Sequence, residues 1–121
     1  MPPRIYGVIT LALAQLLINP VRAQADPALQ AITDLSQLNG QALACQEFTA
    51  ATRAKNLMLQ HSPKTARYGS AFDEGTHQAF VEQTRSPTPC PDAKTLSAQL
   101  EALALKLQTI LPAAVPTNGV Q

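Results

Sequence analysis

The 121-residue chain has no tryptophan, only two tyrosines and three phenylalanines, and only 14% charged residues. With so few rings, any core must be assembled mainly from leucine and alanine. Nine basic residues stand against eight acidic ones, a net charge of +1. That leaves neither the basic footprint of a nucleic-acid binder nor an acidic tail. Nucleophile-elbow, phosphate-loop, dinucleotide and zinc-protease motifs are all missing, and with them the backbone turns and ligand pairs those chemistries require. We therefore expect no enzyme and no cofactor. Strand alternation and fixed-period repeats are also missing, so one small helical domain is the expectation.

What is there begins with Arg4 and an uncharged run from Ile5 to Ile18, long enough for the apolar core of a secretory leader and short for a bilayer span. Asn19-Pro20 breaks it, and Ala23-Gln24-Ala25 supplies the small-x-small pattern of a cleavage site. Residues 1–25 are expected to be removed, with cleavage after Ala23 as the alternative. Neither a cysteine at the junction nor an arginine pair before the run marks a lipid anchor or twin-arginine export. Losing Arg4 and Arg22 leaves seven basic against eight acidic residues, so the product carries a net charge of −1. It is expected to be periplasmic or secreted, with no stable membrane insertion after cleavage.

The only two cysteines, Cys45 and Cys90, both lie in the mature part, where an oxidising compartment allows them one intramolecular pairing. There is no C-x-x-C motif, and Cys90 sits between Pro89 and Pro91, which suits a structural staple better than a redox pair.

Asp26-Pro27 reads as an N-cap with proline at the first helical position, and Leu29, Ile32, Leu35 and Leu38 recur at helical spacing. Asn39-Gly40 reads as the end of that helix, unless helices one and two are continuous. A second helix is expected from Gln41 to about Gln60, with Ala42, Cys45, Phe48 or Thr49, Thr52 and Leu59 on its inward stripe. The third starts at Pro63 or at Ser70 and stops before Pro87, and its Ala71, Gly75 and Ala79 form a ridge of small residues that a neighbouring helix can approach closely. The fourth follows Asp92, with Ala93, Leu96, Leu100, Leu103, Leu107 and Ile110 on one stripe and Leu105 on the other side. The predicted fold is all-α, a small bundle of three to four helices with one intramolecular disulfide. It spans a helical domain over 26–111 and a flexible tail over 112–121.

Three constellations could carry chemistry. Glu74-x-x-His77 has the spacing of a di-iron ligand pair, but no second pair exists, so no metal centre is expected. Met58-x-x-His61 could offer a soft sulfur and an imidazole to a metal or small ligand, and a carrier using this region is the alternative function. Arg53, Lys55, Lys64 and Arg67 fall in a stretch with no acidic residue between Glu47 and Asp73. With His61 they are the candidate contact for an anion or an acidic partner.

Cys45-Gln46-Glu47-Phe48 opening a helix, with a second cysteine just before another helix, resembles the periplasmic acid-stress chaperones of the Hde type. The resemblance implies a small exported helical protein that binds client proteins. Exported helical domains with one disulfide are also similar to immunity proteins that plug periplasmic toxins. The expected function is protein–protein interaction with another envelope or secreted protein, as an accessory factor, chaperone or inhibitor-like binder.

Overall fold

The structure, a computed structural model, describes residues 26–113; the leader expected over 1–25 and the tail beyond Ala113 lie outside the described residues. Four helices follow one another: α1 (Pro27–Ala44), α2 (Phe48–His61), α3 (Ala66–Arg85) and α4 (Ala93–Ile110). Among the described residues there is no strand, and Cys45 is bonded to Cys90. The fold is a small all-α bundle stapled by one disulfide.

Helix α1 is the hub. It packs on all three other helices, α2 also packs on α4, and α3 rests almost wholly on α1. The start of α1 is set by Asp26, whose carboxylate accepts the Ala28 N–H at 3.0 Å, and by Pro27, whose missing N–H costs nothing in the first turn. The helix does not stop at Asn39-Gly40, as the sequence suggests. Both residues are helical and buried because α3 lies directly against them: a Cβ on Gly40 would stand 2.9 Å from the Phe80 backbone nitrogen. On the facing helix Gly75 meets Ser36, so each helix contributes one glycine to the crossing. The ridge expected along α3 is therefore a packing surface.

The true end of α1 is five residues later. Gln46 adopts the left-handed region (φ 59°), the Glu47 N–H reaches back to the Ala42 carbonyl at 2.8 Å, and the Gln46 N–H to that of Leu43 at 3.2 Å. This is the Schellman arrangement, here built on a glutamine where glycine is usual. Helices one and two are thus separate, and their junction is tied to the proline-rich connector by the disulfide at Cys45.

Restarting at Phe48 turns α2 so that Ala51, Ala54, Leu57 and His61 face inward, not Phe48, Thr52 and Leu59. The small alanines let α2 lie close to α1 and α4, and the larger side chains are left outside. Helix α3 begins between the two starts read from the sequence, at Ala66, after Thr65 donates its N–H to the Pro63 carbonyl. Helix α4 buries Leu96, Leu100, Leu103 and Leu107 of its expected stripe, while at the stripe's ends Ala93 is exposed and Ile110 half-buried. Its cap, Asp92, accepts the Thr95 N–H at 2.7 Å. That backbone bond, with the Thr95 side chain adding to it, holds the Asp92 carboxyl below the usual carboxylate range.

The main core is Ala31, Ile32 and Leu35 of α1 against Ala54 and Leu57 of α2, Phe72 of α3, and Leu100, Leu103 and Leu107 of α4. A smaller cluster of Ala42, Ala51 and Leu96 continues it toward the disulfide end. No helix among the described residues is long and apolar enough to cross a membrane.

Candidate functional site in the groove between the second and third helices

The basic residues singled out around the α2–α3 turn do not form one patch. Arg53 and Lys55 are two apart on α2 and so project to opposite sides. Arg53 faces α4 and pairs with Glu101 at 3.1 Å, a half-exposed contact of small energetic weight. Lys64 bends back to donate to the Leu59 carbonyl near the end of α2 at 2.6 Å. Arg67, in the first turn of α3 where an acid is usually favoured, reaches the Asp26 carboxylate at 3.8 Å and shares it with the cap of α1. Among the described residues Lys55 alone of these four cations makes neither an ion pair nor a hydrogen bond.

His61 is buried at the end of α2, and its Nδ1 lies 2.7 Å from the carbonyl oxygen of Leu111 just past α4. A carbonyl can only accept, so Nδ1 carries the proton and clamps the end of α4 to the end of α2. Met58 is half-buried against the main core. Among the described residues no three His, Cys, Asp or Glu side chains converge in a way that could hold a metal ion, and the carrier reading gains no third ligand. Replacing His61 by alanine strands the Leu111 carbonyl and opens a gap. The expected result is a loss of about 1–3 kcal/mol in urea-induced unfolding. An unchanged midpoint would remove His61 from the clamp.

Because α3 rests almost wholly on α1, a groove of about 340 Å³ runs between α3 and α2. Its floor is Asn39 and Leu43 of α1, Lys55 of α2 stands on one rim, and Phe72, Asp73, Thr76, His77 and Phe80 of α3 form the opposite wall. Asn39 is 1% exposed; its Nδ2 donates to the Thr76 hydroxyl at 3.0 Å, while its Oδ1 has no partner at all. Leaving an amide oxygen shielded and unbonded costs about 1–3 kcal/mol, which an apolar residue of the same size would avoid.

Three of the four large apolar side chains that the core leaves outside lie on the two helices that flank this groove. Phe48 (62% exposed) and Leu59 (66%) lie seven residues before and four after Lys55, on the same stripe of α2, and Phe80 (40%) closes the groove from α3. Leu105 (75%) stands on α4 with only small or polar neighbours along its face. Of the candidates read from the sequence, the groove contains Lys55 and one member of the Glu74/His77 pair, while Arg53, His61, Lys64 and Arg67 lie elsewhere. It also contains Asn39, which as half of Asn39-Gly40 looks like a helix stop. Its place on the stripe of Ile32, Ser36 and Leu43 was the available signal for a polar residue turned inward.

Protein-family models, curated proteins and solved structures offer no match to this chain.

Proposed function

We propose that this is an exported protein, matured by removal of residues 1–25, that works in the periplasm or outside the cell by binding another protein through the α2–α3 groove. The observation that carries the reading is the exposure of Phe48 and Leu59 on α2 and of Phe80 on α3, the two helices that flank the groove. Large apolar side chains left exposed on neighbouring helices are the composition of a contact surface. The Ile5–Ile18 run, the Ala23-Gln24-Ala25 site and the disulfide support export. The covalent chemistry of an enzyme has no motif to rest on.

The test is site-directed photocrosslinking of the full chain in its own cells, with benzoylphenylalanine placed in turn at Leu59 beside the groove and at Leu105 on α4. One protein crosslinked from position 59 and not from 105 is the expected result. Crosslinks from 105 alone, or recovery of an unprocessed chain with free thiols, would overturn the reading.

A further inference from the structure

Resting on the export reading, we infer that Thr88 is the attachment site of an O-linked sugar, which seats in a glutamine-lined cleft between α1 and α3. The connector after α3 runs Ser86-Pro87-Thr88-Pro89-Cys90-Pro91, so Ser86, Thr88 and Cys90 each precede a proline, which presses them toward extended conformations. Ser86 adopts one, with φ −80° and ψ 141°. Hydroxyl residues set among prolines are the composition of O-glycosylated stretches, and a strand held open in advance presents its hydroxyl to a transferase with no helix to unwind. Of the two hydroxyls, that of Thr88 is the accessible one. Thr88 is exposed with proline on both sides, whereas Ser86 is half-buried and its oxygen accepts the Thr88 N–H at 3.1 Å. The 2.6 Å contact between the two hydroxyl oxygens survives attachment, because Ser86 can donate to the bridging oxygen. In the transfer, Thr88 Oγ1 attacks the anomeric carbon of a glycosyl diphosphate donor. The carbon–oxygen bond to the diphosphate breaks, its electron pair leaves with the diphosphate, and the hydroxyl proton passes to a base of the transferase.

The cleft beside Thr88 selects a sugar over other modifications. It measures about 520 Å³ and is walled by Gln37 and Gln41 of α1 and by Ala79, Glu82 and Gln83 of α3, with no cation and no large apolar side chain in its lining among the described residues. Gln41 donates to the Gln83 amide oxygen at 3.1 Å, and Gln83 donates to the Thr88 carbonyl at 3.0 Å. That leaves the Gln41 oxygen, both ends of the Gln37 amide and the Glu82 carboxylate without partners among the described residues. Donors and acceptors side by side match the hydroxyls of a sugar, each of which gives one hydrogen bond and takes others. A phosphate on the same hydroxyl would face Glu82 with no cation to pair it.

The test is mass spectrometry, intact and after fragmentation, of the full chain purified from its own cells. The expected result is a processed, disulfide-bonded protein heavier by whole hexose or N-acetylhexosamine units, with the added mass on the fragment that contains Thr88. Thr88→Val keeps the shape of an exposed side chain and the carbonyl that Gln83 holds, and it should lose all of the added mass. Thr88→Ser and Ser86→Ala should keep it. In the sugar-bearing protein, nuclear Overhauser contacts from sugar ring protons to the Gln37 or Gln41 side-chain amide should mark the seat. A processed, disulfide-bonded chain with a bare Thr88, the same added mass in Thr88→Val, or phosphate on Thr88 would overturn the attachment and leave export standing. A sugar on Thr88 that touches neither glutamine would overturn the seat. An unprocessed chain with free thiols would overturn the export reading, and the attachment with it.

Discussion

Replacing Cys45 and Cys90 together by alanine should lower the melting temperature by roughly 15 °C, the signature of about 2–4 kcal/mol of lost stability in a domain of this size. The bond closes a loop with a sequence separation of 45 residues, for which the chain-entropy account gives about 4 kcal/mol. The prolines around Cys90 already restrict the unfolded connector, which places the expected loss toward the lower part of that range. The folded state shows where the loosening should concentrate. Residues Pro87 to Cys90 are exposed, and besides the bond itself they are held by the Gln83 amide, which donates to the Thr88 carbonyl at 3.0 Å and to Cys90 Sγ at 3.7 Å, and by contacts between Ser86 and Thr88. Hydrogen exchange in the double variant should therefore quicken first around Cys45 to Phe48 and Ser86 to Asp92. The amides of Leu100 to Leu107, in the main core, should follow only with global unfolding. A melting temperature within about 3 °C of the parent's would show that helix packing alone fixes the connector.

How far the sequence discloses this molecule depends on whether local preference and tertiary packing agree. In α4 they do: Asp92 caps, the leucines repeat by three and four, and the structure buries Leu96, Leu100, Leu103 and Leu107. At the end of α1 they conflict. Glycine in a helix costs only about 1 kcal/mol, so Gly40 is a weak stop, and the close approach of α3 outweighs it. The actual stop uses Gln46 in a left-handed conformation that residue preference disfavours, held by two backbone bonds and the neighbouring disulfide, none of which local composition announces. That shift of the helix boundary re-phases α2. An inward stripe of alanines leaves Phe48 and Leu59 exposed, on the stripe of α2 that carries Lys55. The ridge of Ala71, Gly75 and Ala79 was visible as spacing, but the identity of the helix it meets was not. The groove beside that ridge depends on three helices at once, which explains why only Lys55 and His77 among its polar residues drew attention from sequence alone.

The second large effect tests the crossing that creates the groove. Gly40→Ala and Gly69→Ala place the same methyl group within a helix, Gly40 near the end of α1 and Gly69 in the first turn of α3, and on propensity alone both should stabilise by about 0.5–1 kcal/mol. Their surroundings force opposite signs. Around Gly69 no atom lies within 4 Å of the new Cβ, so the propensity gain should appear in full, raising the melting temperature by about 4 °C. At Gly40 the new Cβ would collide with the Thr76 carbonyl oxygen, and it would stand 2.8 Å from the Ala79 Cβ and 2.9 Å from the Phe80 nitrogen. Two of those three atoms are backbone, so the strain cannot be relieved by a side-chain rotation and must push α3 off α1. Overpacking of that kind costs about 1–3 kcal/mol or more, and the separation would also stretch the Asn39–Thr76 hydrogen bond, leaving a net loss near 2 kcal/mol and a fall of about 10 °C. Gly75→Ala meets Ser36 instead, a side-chain contact with its Cβ at 2.9 Å, so Ser36→Gly in the same chain should restore most of the stability lost. Calorimetric melting of the variants decides the matter, since similar shifts for Gly40→Ala and Gly69→Ala would mean that α3 can leave α1 at little cost. In that event the groove would have no fixed width. If the signs divide as expected, Gly40 and Gly75 set the distance between α1 and α3, and through it the width of the groove.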